Sequence, residues 1–406
     1  MRVVFISWWW PYPADNGSKI RIYNLLRHLS QAHQVTLLSF AESHEATTAQ
    51  IDHLRTFCAH VESFPKPQYN PGTVRATLGY LSPWPRSLID VYSPVMAKRV
   101  ELLARQGVID VMVSSELQTM RYLELAPEIP SILEEIEITS FHDRVQRAPG
   151  TSSRLRAQLT LTKMENALRS LLNRGVAFTV VSEAERHYMQ PLAPENGRIE
   201  VIPNGVDTKV NHPDSAIKPE VNSLIYTGAV TYDANYDAVS TFIRDILPLV
   251  RARIPDAHFM VTGGTGSIDI SDLAAQPGVT FSGYLPSVAD AVHKHWALVV
   301  PLRKGGGTRL KILEAMALGT PVISTRKGIE GLEVEPDKHV LLADTPQEFA
   351  DATCRLLQDA ALRARLTEAG RVLVEQKYDW GIIGRQLNDL ITEVTRVPIT
   401  TEKQTT

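Results

Sequence analysis

The segment that decides the fold is PLRKGGGTRLKILEAMALGTPVIST, residues 301–325. An apolar run that is typical of a buried strand ends at its start, and three consecutive glycines follow, from Gly305 to Gly307. Thr308 then stands at the N-cap position of an amphipathic helix, and a second apolar strand follows at PVIS. Strand, glycine turn, helix and strand in this order predict an α/β unit with a parallel crossover.

The glycine turn has the properties of an anion-binding site. Glycine lets bare backbone approach a ligand, and the first N–H groups of a helix are free and carry a partial positive charge. Four basic residues surround the turn, namely Arg303, Lys304, Arg309 and Lys311. Arg309 and Lys311 rank first because they lie in the first turn of the predicted helix. The pattern predicts a phosphate or diphosphate at this helix start.

Glu314 lies about one turn inside the same helix. There its carboxylate can accept hydrogen bonds from the hydroxyls of a ribose. The competing interpretation is a flexible surface turn in which Glu314 pairs with Lys311 at i, i+3 spacing.

Outward from this segment, the alternation of strand and helix continues through both halves of the chain. The strands predicted in the first half are residues 2–7, 34–40, 109–115, 130–135 and 177–183, and those in the second half are 223–227, 258–262, 279–282, 298–301 and 321–324. The segment that begins VIPNGVD, residues 201–222, is rich in turn residues and predicts a linker. We therefore expect two doubly wound α/β domains, residues 1–200 and 223–380, and a disordered tail at 398–406.

Composition excludes several classes of protein. The chain has 406 residues, 44% of them hydrophobic and 21% charged, and a net charge of −3. These values are typical of a globular protein and give no reason to expect nucleic-acid binding. Cys58 and Cys354 are far apart and predict buried thiols in a reducing compartment. Because neither a signal peptide nor a run of about 20 apolar residues is found, we expect a cytoplasmic protein, free or at the inner face of the membrane.

The sequence LEAMALGTPVI, residues 313–323, resembles the signature of the family 4 glycosyltransferases. Similar pieces are VVSEAE at 180–185, VIPNGVD at 201–207 and FSGYLP at 281–286. The resemblance implies the GT-B fold, in which two Rossmann-like domains face each other across a cleft. It also implies retaining transfer of a sugar from a nucleotide diphosphate donor to an acceptor hydroxyl, in polysaccharide or glycoconjugate synthesis, with no metal or other cofactor required.

The resemblance also implies roles for single residues. Glu314 matches the second glutamate of the signature, which binds the donor ribose, whereas the first glutamate falls on Gly306, a departure that leaves the donor sugar open. The loop at 226–239 lacks the basic pair that grips the diphosphate in the family. Arg309 and Lys311 are therefore expected to stabilise the leaving diphosphate as the catalytic residues. The expected donor-binding residues are Gly17, Gly283, Gly306, Gly307, Thr308, Arg309, Lys311 and Glu314.

The first half supplies candidates for the acceptor side. In NGSKIR, residues 16–21, Lys19 and Arg21 are expected to face the donor phosphate or the acceptor, although a simple helix cap at Asn16 or Ser18 with a basic face is an even alternative. Glu137 and His142 follow a predicted strand and are weaker acceptor-side candidates. The alternative interpretation is that both are solvated loop residues.

Three adjacent indoles, Trp8 to Trp10, are unusual for a loop. They suit stacking on a sugar, peripheral contact with a membrane surface, or packing against the other domain. The expected partners are a nucleotide sugar and an acceptor that is a sugar, a lipid-linked molecule or another hydroxyl compound, and no nucleic acid.

Two other functions remain open. A nucleotide-sugar 2-epimerase shares the fold, but it needs several carboxylates and a histidine converging on the sugar. A nucleotide-sugar-binding protein without catalysis is suggested by Gly306. The apolar spacing of residues 381–397 predicts a last helix, and the family resemblance implies that this helix packs back onto the first domain.

Overall fold

The computed structural model describes residues 1–305 and 309–396. Within them the chain divides into two compact units. Unit 1 comprises Met1–Pro203 together with residues 383–396, and unit 2 comprises Asn204–Ile382. The division falls near the beginning of the segment that the sequence predicts as a linker. Gly306, Gly307, Thr308 and the tail at 398–406 lie outside the described residues.

Unit 1 is built on a seven-stranded parallel sheet. Its strands are β1 (Arg2–Ser7), β2 (Gln34–Ala41), β3 (His60–Pro65), β4 (Val111–Ser115), β5 (Ser131–Ile136), β6 (Ala177–Val180) and β7 (Ile199–Val201). The spatial order is β3-β2-β1-β4-β5-β6-β7. Every residue of β4 and β5 is buried, as parallel strands covered on both faces require.

Five of the eight described α-helices of unit 1 begin at a residue whose polar side chain caps them. They are α1 (Gly17–Leu29), α2 (Thr48–Arg55), α3 (Val74–Leu78), α4 (Arg86–Asp90), α5 (Pro94–Arg105), α6 (Thr139–Gln146), α7 (Thr151–Asn173) and α8 (Glu183–Met189), with 3-10 segments at Leu117–Leu125 and Gln190–Leu192. Asn16 caps α1, Ser93 caps α5 and Ser182 caps α8, each by accepting a backbone N–H of the first turn.

Unit 2 repeats the same plan with six parallel strands. They are β8 (Glu220–Thr227), β9 (His258–Thr262), β10 (Val279–Gly283), β11 (His295–Val300), β12 (Val322–Ser324) and β13 (Leu341–Leu342), in the order β10-β9-β8-β11-β12-β13. The helices are α9 (Asp233–Thr241), α10 (Leu247–Arg253), α11 (Ser271–Ala274), α12 (Val288–Lys294), α13 (Leu310–Ala317), α14 (Pro346–Gln358), α15 (Ala360–Leu373) and α16 (Trp380–Arg396), with π-helical turns at Phe242–Ile246 and Val374–Tyr378.

Both units therefore have the strand order of a Rossmann fold, which confirms the predicted α/β class. The chain reverses direction across the sheet between β1 and β4 in unit 1 and between β8 and β11 in unit 2. In such sheets a ligand binds outside the carboxyl ends of the strands at this reversal. The fold thus predicts one candidate ligand-binding position in each unit.

The last helix, α16, begins in unit 2, and most of it belongs to unit 1. Its side chains Ile383, Leu387 and Ile391 are fully buried. Asn388 Oδ1 lies 2.6 Å from His33 Nε2, and a Cβ on Gly384 would come within 2.4 Å of the Cβ of His28. The residues of α16 from 383 onward therefore complete the core of unit 1.

Two further features concern the cysteines and the helices. Cys58 and Cys354 are buried and free, and burial raises the pKa of the Cys58 thiol to about 12, which makes it unreactive. Among the described helices, none combines the length and the apolar character needed to cross a bilayer.

Candidate functional site

The predicted donor site lies at the carboxyl ends of β8 and β11 in unit 2. Gly228 follows β8 with a φ of +134°, a value that side-chain-bearing residues rarely adopt. A Cβ at this position would lie 3.0 Å from Asn235 Nδ2 and 3.1 Å from Lys311 Nζ. The missing side chain of Gly228 therefore allows α9 and α13 to bring these two polar groups to the end of β8.

Lys311 is the central cation of this edge. Its Nζ lies 3.4 Å from Asn235 Oδ1 and 3.8 Å from the centroid of the Tyr226 ring. Asn235 is itself held by the Tyr226 hydroxyl, which donates to the same Oδ1 at 2.6 Å. Burial and, to a smaller extent, the charge of the neighbouring Arg309 lower the pKa of Lys311 to about 7, and Glu314 partly opposes both effects. An anionic ligand would supply the negatively charged partner that Lys311 largely lacks.

Arg309 and Glu314 lie on either side of Lys311 in sequence. Arg309 is 7% exposed, immediately precedes α13, and donates from Nη2 to the carbonyl of Gly305 at 2.8 Å. Burial raises the pKa of Glu314, and the Lys311 charge lowers it. No salt bridge joins Lys311 and Glu314 within the described structure, so the simple i, i+3 pair considered above is not formed.

The other two basic residues of the segment are engaged elsewhere. Arg303 forms a two-pronged pair with Asp237 of α9, with N–O distances of 3.0 and 2.7 Å. Lys304 Nζ lies 2.7 Å from Asp233 Oδ2. The four cations therefore separate into a neutralised pair, Arg303 and Lys304, and a pair near the end of β8, Arg309 and Lys311.

The glycines expected to approach the donor are only partly described. Gly283 ends β10 with a φ of +66°, and a Cβ there would meet no heavy atom within 4 Å. Gly306, Gly307 and Thr308 lie outside the described residues. Gly17 belongs to unit 1 and is the first residue of α1.

In unit 1, the structure does not place Lys19 and Arg21, the basic residues of NGSKIR, as the sequence predicts. Asn16 Oδ1 accepts the backbone N–H of Lys19 at 3.1 Å, so the helix cap of the alternative is present, but its basic face is not, because Lys19 and Arg21 are buried. The Lys19 ammonium lies 3.0 Å from Asp15 Oδ1 and 2.9 Å from Glu45 Oε1. Lys19 is thus buried and satisfied by two carboxylates.

Arg21 is placed inside the fold and has no exposed surface. Its Nε donates to Glu134 Oε1 at 2.6 Å, and its two terminal nitrogens donate to the carbonyls of Ile202 and Pro203 at 2.9 Å. Ser115 Oγ donates to the other oxygen of Glu134 at 3.0 Å. Contrary to the expectation that Arg21 faces an acceptor, it forms a buried ion pair that ties α1 to β5 and to the chain after β7.

A cavity of about 490 Å³ opens at the carboxyl ends of β1, β4 and β5, and all its lining residues belong to unit 1. Its walls include three glutamates, Glu116, Glu135 and Glu137. Of these, the sequence predicts only Glu137. The missed signal is that VSSE and ILEE both place a glutamate at the end of a buried strand, and these strands are neighbours in the sheet.

The cavity carboxylates are perturbed by burial and by one another. Burial raises the pKa of Glu116 to about 7; Ser18 and Lys66 oppose this, and Glu137 and Glu134 add to it. Burial also raises the pKa of Glu135 well above its usual range, with Arg21 opposing and the neighbouring glutamates adding. Glu116 and Glu135 have positive φ values of 70° and 60°, which non-glycine residues adopt rarely and which are enriched at functional sites.

The tryptophan run lies at the same cavity. Trp10 is fully buried, Trp8 is 8% exposed and Trp9 is half-buried, so Trp8 and Trp10 are not available to a membrane surface, and contact through Trp9 stays a prediction. Trp8 and Trp9 line the cavity, which agrees with the interpretation that they stack on a ligand. The Nζ of Lys66 lies 3.1 Å from the centroid of the Trp9 ring.

His142 is not among the residues that line this cavity, although its neighbour Phe141 on α6 is. Its Nε2 is 3.7 Å from Glu165 Oε1, and its ring packs on Tyr188 with 4.6 Å between centroids. Of the four residues predicted for the acceptor side, the structure therefore brings only Glu137 to the cavity.

Two family models match the chain, one for each unit. The model described as Glycosyltransferase Family 4 matches residues 15–210, and the model described as Glycosyl transferases group 1 matches residues 221–359. Between them they span most of the chain, and the gap between them falls in the predicted linker.

A curated relative is the GDP-mannose-dependent monoacylated alpha-(1-6)-phosphatidylinositol monomannoside mannosyltransferase of Corynebacterium glutamicum. It is 29% identical over 158 residues, which are 36% of this chain and 41% of the relative. The match therefore spans less than half of the length of that protein.

Solved structures with the same fold cover nearly the whole chain. Sucrose-phosphate synthase from Thermosynechococcus elongatus has a TM-score of 0.71 at 16% identity, over 98% of this chain and 99% of the other. A glycosyltransferase from Rickettsia africae has a TM-score of 0.66 at 12% identity, over 97% and 98%. Anabaena Alr3699/HepE in complex with UDP has a TM-score of 0.65 at 15% identity, over 97% and 100%.

Proposed function

This chain belongs to glycosyltransferase family 4, and on that premise we propose that it transfers a sugar from a nucleoside diphosphate donor to an acceptor hydroxyl, with the anomeric configuration retained. The observation that carries the proposal is the cationic edge of unit 2. There Lys311, with Arg309 close to it, lies beside a glycine at the topological reversal of a Rossmann-like sheet.

In the proposed donor complex, Lys311 and Arg309 bind the diphosphate, and the free N–H groups at the start of α13 add a partial positive charge. Glu314, one turn further along α13, accepts hydrogen bonds from the ribose hydroxyls. Burial raises the pKa of Glu314, whereas the nearby Lys311 cation lowers it and so favours the ionised carboxylate.

The reaction needs charge stabilisation at the leaving group. The acceptor oxygen forms a bond to the anomeric carbon, the bond from that carbon to the diphosphate oxygen breaks, and the acceptor proton passes to the departing phosphate. Negative charge grows on the diphosphate, so fixed cations nearby lower the barrier. Lys311 and Arg309 act in this way without donating or accepting a proton themselves, and the scheme requires no metal.

Related proteins support this class of donor. The Corynebacterium glutamicum relative is GDP-mannose-dependent, and Anabaena Alr3699/HepE has been solved with UDP-glucose. A nucleotide sugar is therefore the proposed donor here, and polysaccharide or glycoconjugate synthesis is the proposed setting, in the cytoplasm or at the inner face of the membrane. Gly306, at the position of the family's first glutamate, lies outside the described residues.

A panel of UDP- and GDP-sugars with hydroxyl acceptors tests the proposal. We expect release of UDP or GDP that depends on the acceptor, and a product whose anomeric configuration, read by proton NMR, matches that of the donor. Glu314→Ala should weaken binding of the free nucleotide diphosphate about tenfold. An epimerised donor would instead identify a 2-epimerase, and tight donor binding without turnover would identify a binding protein; either result overturns the proposal.

A further inference from the structure

The cavity of unit 1 has the size of a small-molecule site. Its volume of about 490 Å³ falls within the range of roughly 300–1,000 Å³ that is usual for ligand pockets. It lies at the reversal between β1 and β4, the position at which Rossmann-like sheets bind ligands. Hydroxyl and amide groups are present among its walls, and so are aromatic rings. The lining includes Ser18, Ser140, Gln118, Trp8, Trp9 and Phe141.

Glu135 shows that the cavity is built for a ligand. Its side chain is 9% exposed, and its Oε2 has no hydrogen-bond partner among the described groups. A buried carboxylate oxygen without a donor costs free energy, and here the backbone also adopts a rare conformation to place it. A ligand that donates to this oxygen would remove that cost.

The charge around the cavity favours a cationic donor. Glu116, Glu135 and Glu137 contribute three carboxyl groups. Arg144 is the cation that lines the cavity; it is exposed, and its guanidinium carbon lies 5.5 Å from the centroid of the Phe141 ring. A second cation, Lys66, lies with its Nζ 3.1 Å from the centroid of the Trp9 ring and acts on Glu116, whose pKa it lowers. An anionic acceptor would be repelled by this arrangement.

Two kinds of group stabilise an organic ammonium in proteins, carboxylates and the faces of aromatic rings. The cavity has both, since Trp8 and Trp9 lie in the same lining as the three glutamates. A metal ion is a poorer fit, because no cluster of three or more His, Cys, Asp or Glu side chains in the described part of the chain has the geometry to hold one.

We propose that the unit 1 cavity binds the acceptor and selects an acceptor that carries a protonated amine next to its hydroxyls, as an amino sugar does. The amine donates to Glu135 Oε2, and the hydroxyls bond to the serine and glutamate oxygens of the wall. The inference rests on the proposed function in one respect, that the bound molecule is the acceptor of the transfer. The binding that it predicts is measurable without turnover.

The test compares three monosaccharides that differ in one group: glucosamine, N-acetylglucosamine and glucose. Binding to the full chain is followed at pH 7.0 by titration of protein NMR or intrinsic tryptophan signals. We expect glucosamine to bind at least tenfold more tightly than the other two. Equal affinity for all three sugars, or tighter binding of a neutral sugar, would overturn the proposal.

Two isosteric variants locate the binding. Glu135→Gln should weaken glucosamine binding about tenfold and leave the affinity for glucose unchanged, and Glu116→Gln should act in the same direction. Glu101→Gln, in an exposed pair with Arg105, is the matched control and should bind glucosamine as the unaltered chain does. Thermal unfolding of each variant shows whether it is folded. Unchanged glucosamine affinity in folded Glu135→Gln would contradict the proposal.

The pH dependence gives a further readout. Glu135 faces Glu116, Glu137, Glu134 and Arg21, and its raised pKa means that protons compete with a cation for this site. Glucosamine affinity should therefore rise between pH 5.5 and 7.0, and this rise should be smaller in Glu135→Gln. A flat profile in the unaltered chain would count against the proposal.

Failure here is distinguishable from failure of the proposed function. Binding of UDP or GDP to unit 2 is measured in parallel and should be the same in Glu135→Gln as in the unaltered chain. Nucleotide binding with no preference for the amine would refute only the acceptor inference. Amine-selective binding with no nucleotide binding would refute only the glycosyltransferase mechanism.

Discussion

The two units carry opposite charges at equivalent places of one topology. At the reversal of unit 2, Lys311 and Arg309 lie near the end of β8. At the reversal of unit 1, Glu116 and Glu135 lie at the ends of β4 and β5. The strand order is shared and predicts where a ligand binds, whereas the residues at the strand ends predict which charge that ligand has.

A second likeness lies beneath this difference. Each reversal holds at least one ion pair that is satisfied and one ionisable group that its polar partners do not fully satisfy. In unit 1 Arg21 satisfies Glu134, while Glu135 Oε2 has no partner in the described structure. In unit 2 Asp237 satisfies Arg303, while Lys311 has a strongly lowered pKa. The satisfied pairs are expected to stabilise the fold and the unsatisfied groups to bind ligands.

The largest effect expected is on the satisfied pair of unit 1. Arg21→Ala leaves Glu134 buried without its cation, so the free energy of unfolding should fall by about 3–5 kcal/mol. Urea unfolding followed by circular dichroism measures the change. Arg2→Ala, in the exposed pair with Asp110, is the control and should cost far less. Equal losses in the two variants would show that Arg21 is not a structural cation.

The next effect concerns the unsatisfied cation of unit 2. Lys311→Met should weaken binding of UDP or GDP by at least about 100-fold, close to 2.7 kcal/mol, because it removes the main cation of the donor site. The melting temperature should stay the same or rise, since a poorly compensated buried charge is replaced by an apolar chain. Calorimetric titration and thermal unfolding measure the two quantities.

The control for this variant is Lys338→Met, at an exposed lysine that pairs with Glu335 in the same unit. It should leave nucleotide binding unchanged. Nucleotide affinity that is retained in Lys311→Met would mean that the cationic edge of unit 2 is not the donor site.

A smaller effect is expected from backbone geometry. Gly228→Ala places a Cβ about 3 Å from Asn235 and Lys311 and forces alanine into a φ of +134°. We expect nucleotide affinity to fall about tenfold as Lys311 is displaced, together with a lower melting temperature. Gly107→Ala is the control, because its φ is also positive but a Cβ there meets nothing within 4 Å. Nucleotide binding should be unaffected in the control, and equal binding in both variants would contradict the prediction.

The smallest effect is the pH dependence of donor binding. The pKa of Lys311 is lowered to about 7, so the free lysine loses its proton as pH rises above that value. Affinity for UDP should therefore fall between pH 7 and 8, by less than about tenfold, and Lys311→Met should show no such fall. Calorimetry in buffers of different ionisation enthalpy would detect the proton taken up on binding. Affinity that rises over this range would contradict the assignment.

Much of unit 2 could be predicted from the sequence because its signals are local. The glycine turn, the amphipathic helix and the basic residues lie within one segment of 25 residues, and the signature LEAMALGTPVI lies inside it. The sequence also predicts the rank of Arg309 and Lys311 above Arg303 and Lys304. That rank matches the division of the four cations in the structure, although their role in binding is still a prediction.

The site in unit 1 could not be predicted in the same way because it depends on distant residues. Arg21 and its partner Glu134 are 113 positions apart, and only the order of strands brings them together. Glu116 and Glu135 meet because β4 lies next to β5. The sequence predicts that Arg21 contacts a ligand, whereas in the three-dimensional structure its partner is the buried carboxylate of Glu134.

The position of α16 affects how the chain matures on the ribosome. The core of unit 1 is closed by residues from 383 onward, which are translated after all of unit 2. At roughly 5–20 residues per second, the apolar face of unit 1 that α16 covers stays open for on the order of ten seconds or more. We expect nascent unit 1 to expose this apolar surface to chaperones and to other nascent chains during that interval, and a chain truncated before residue 383 to leave it uncovered.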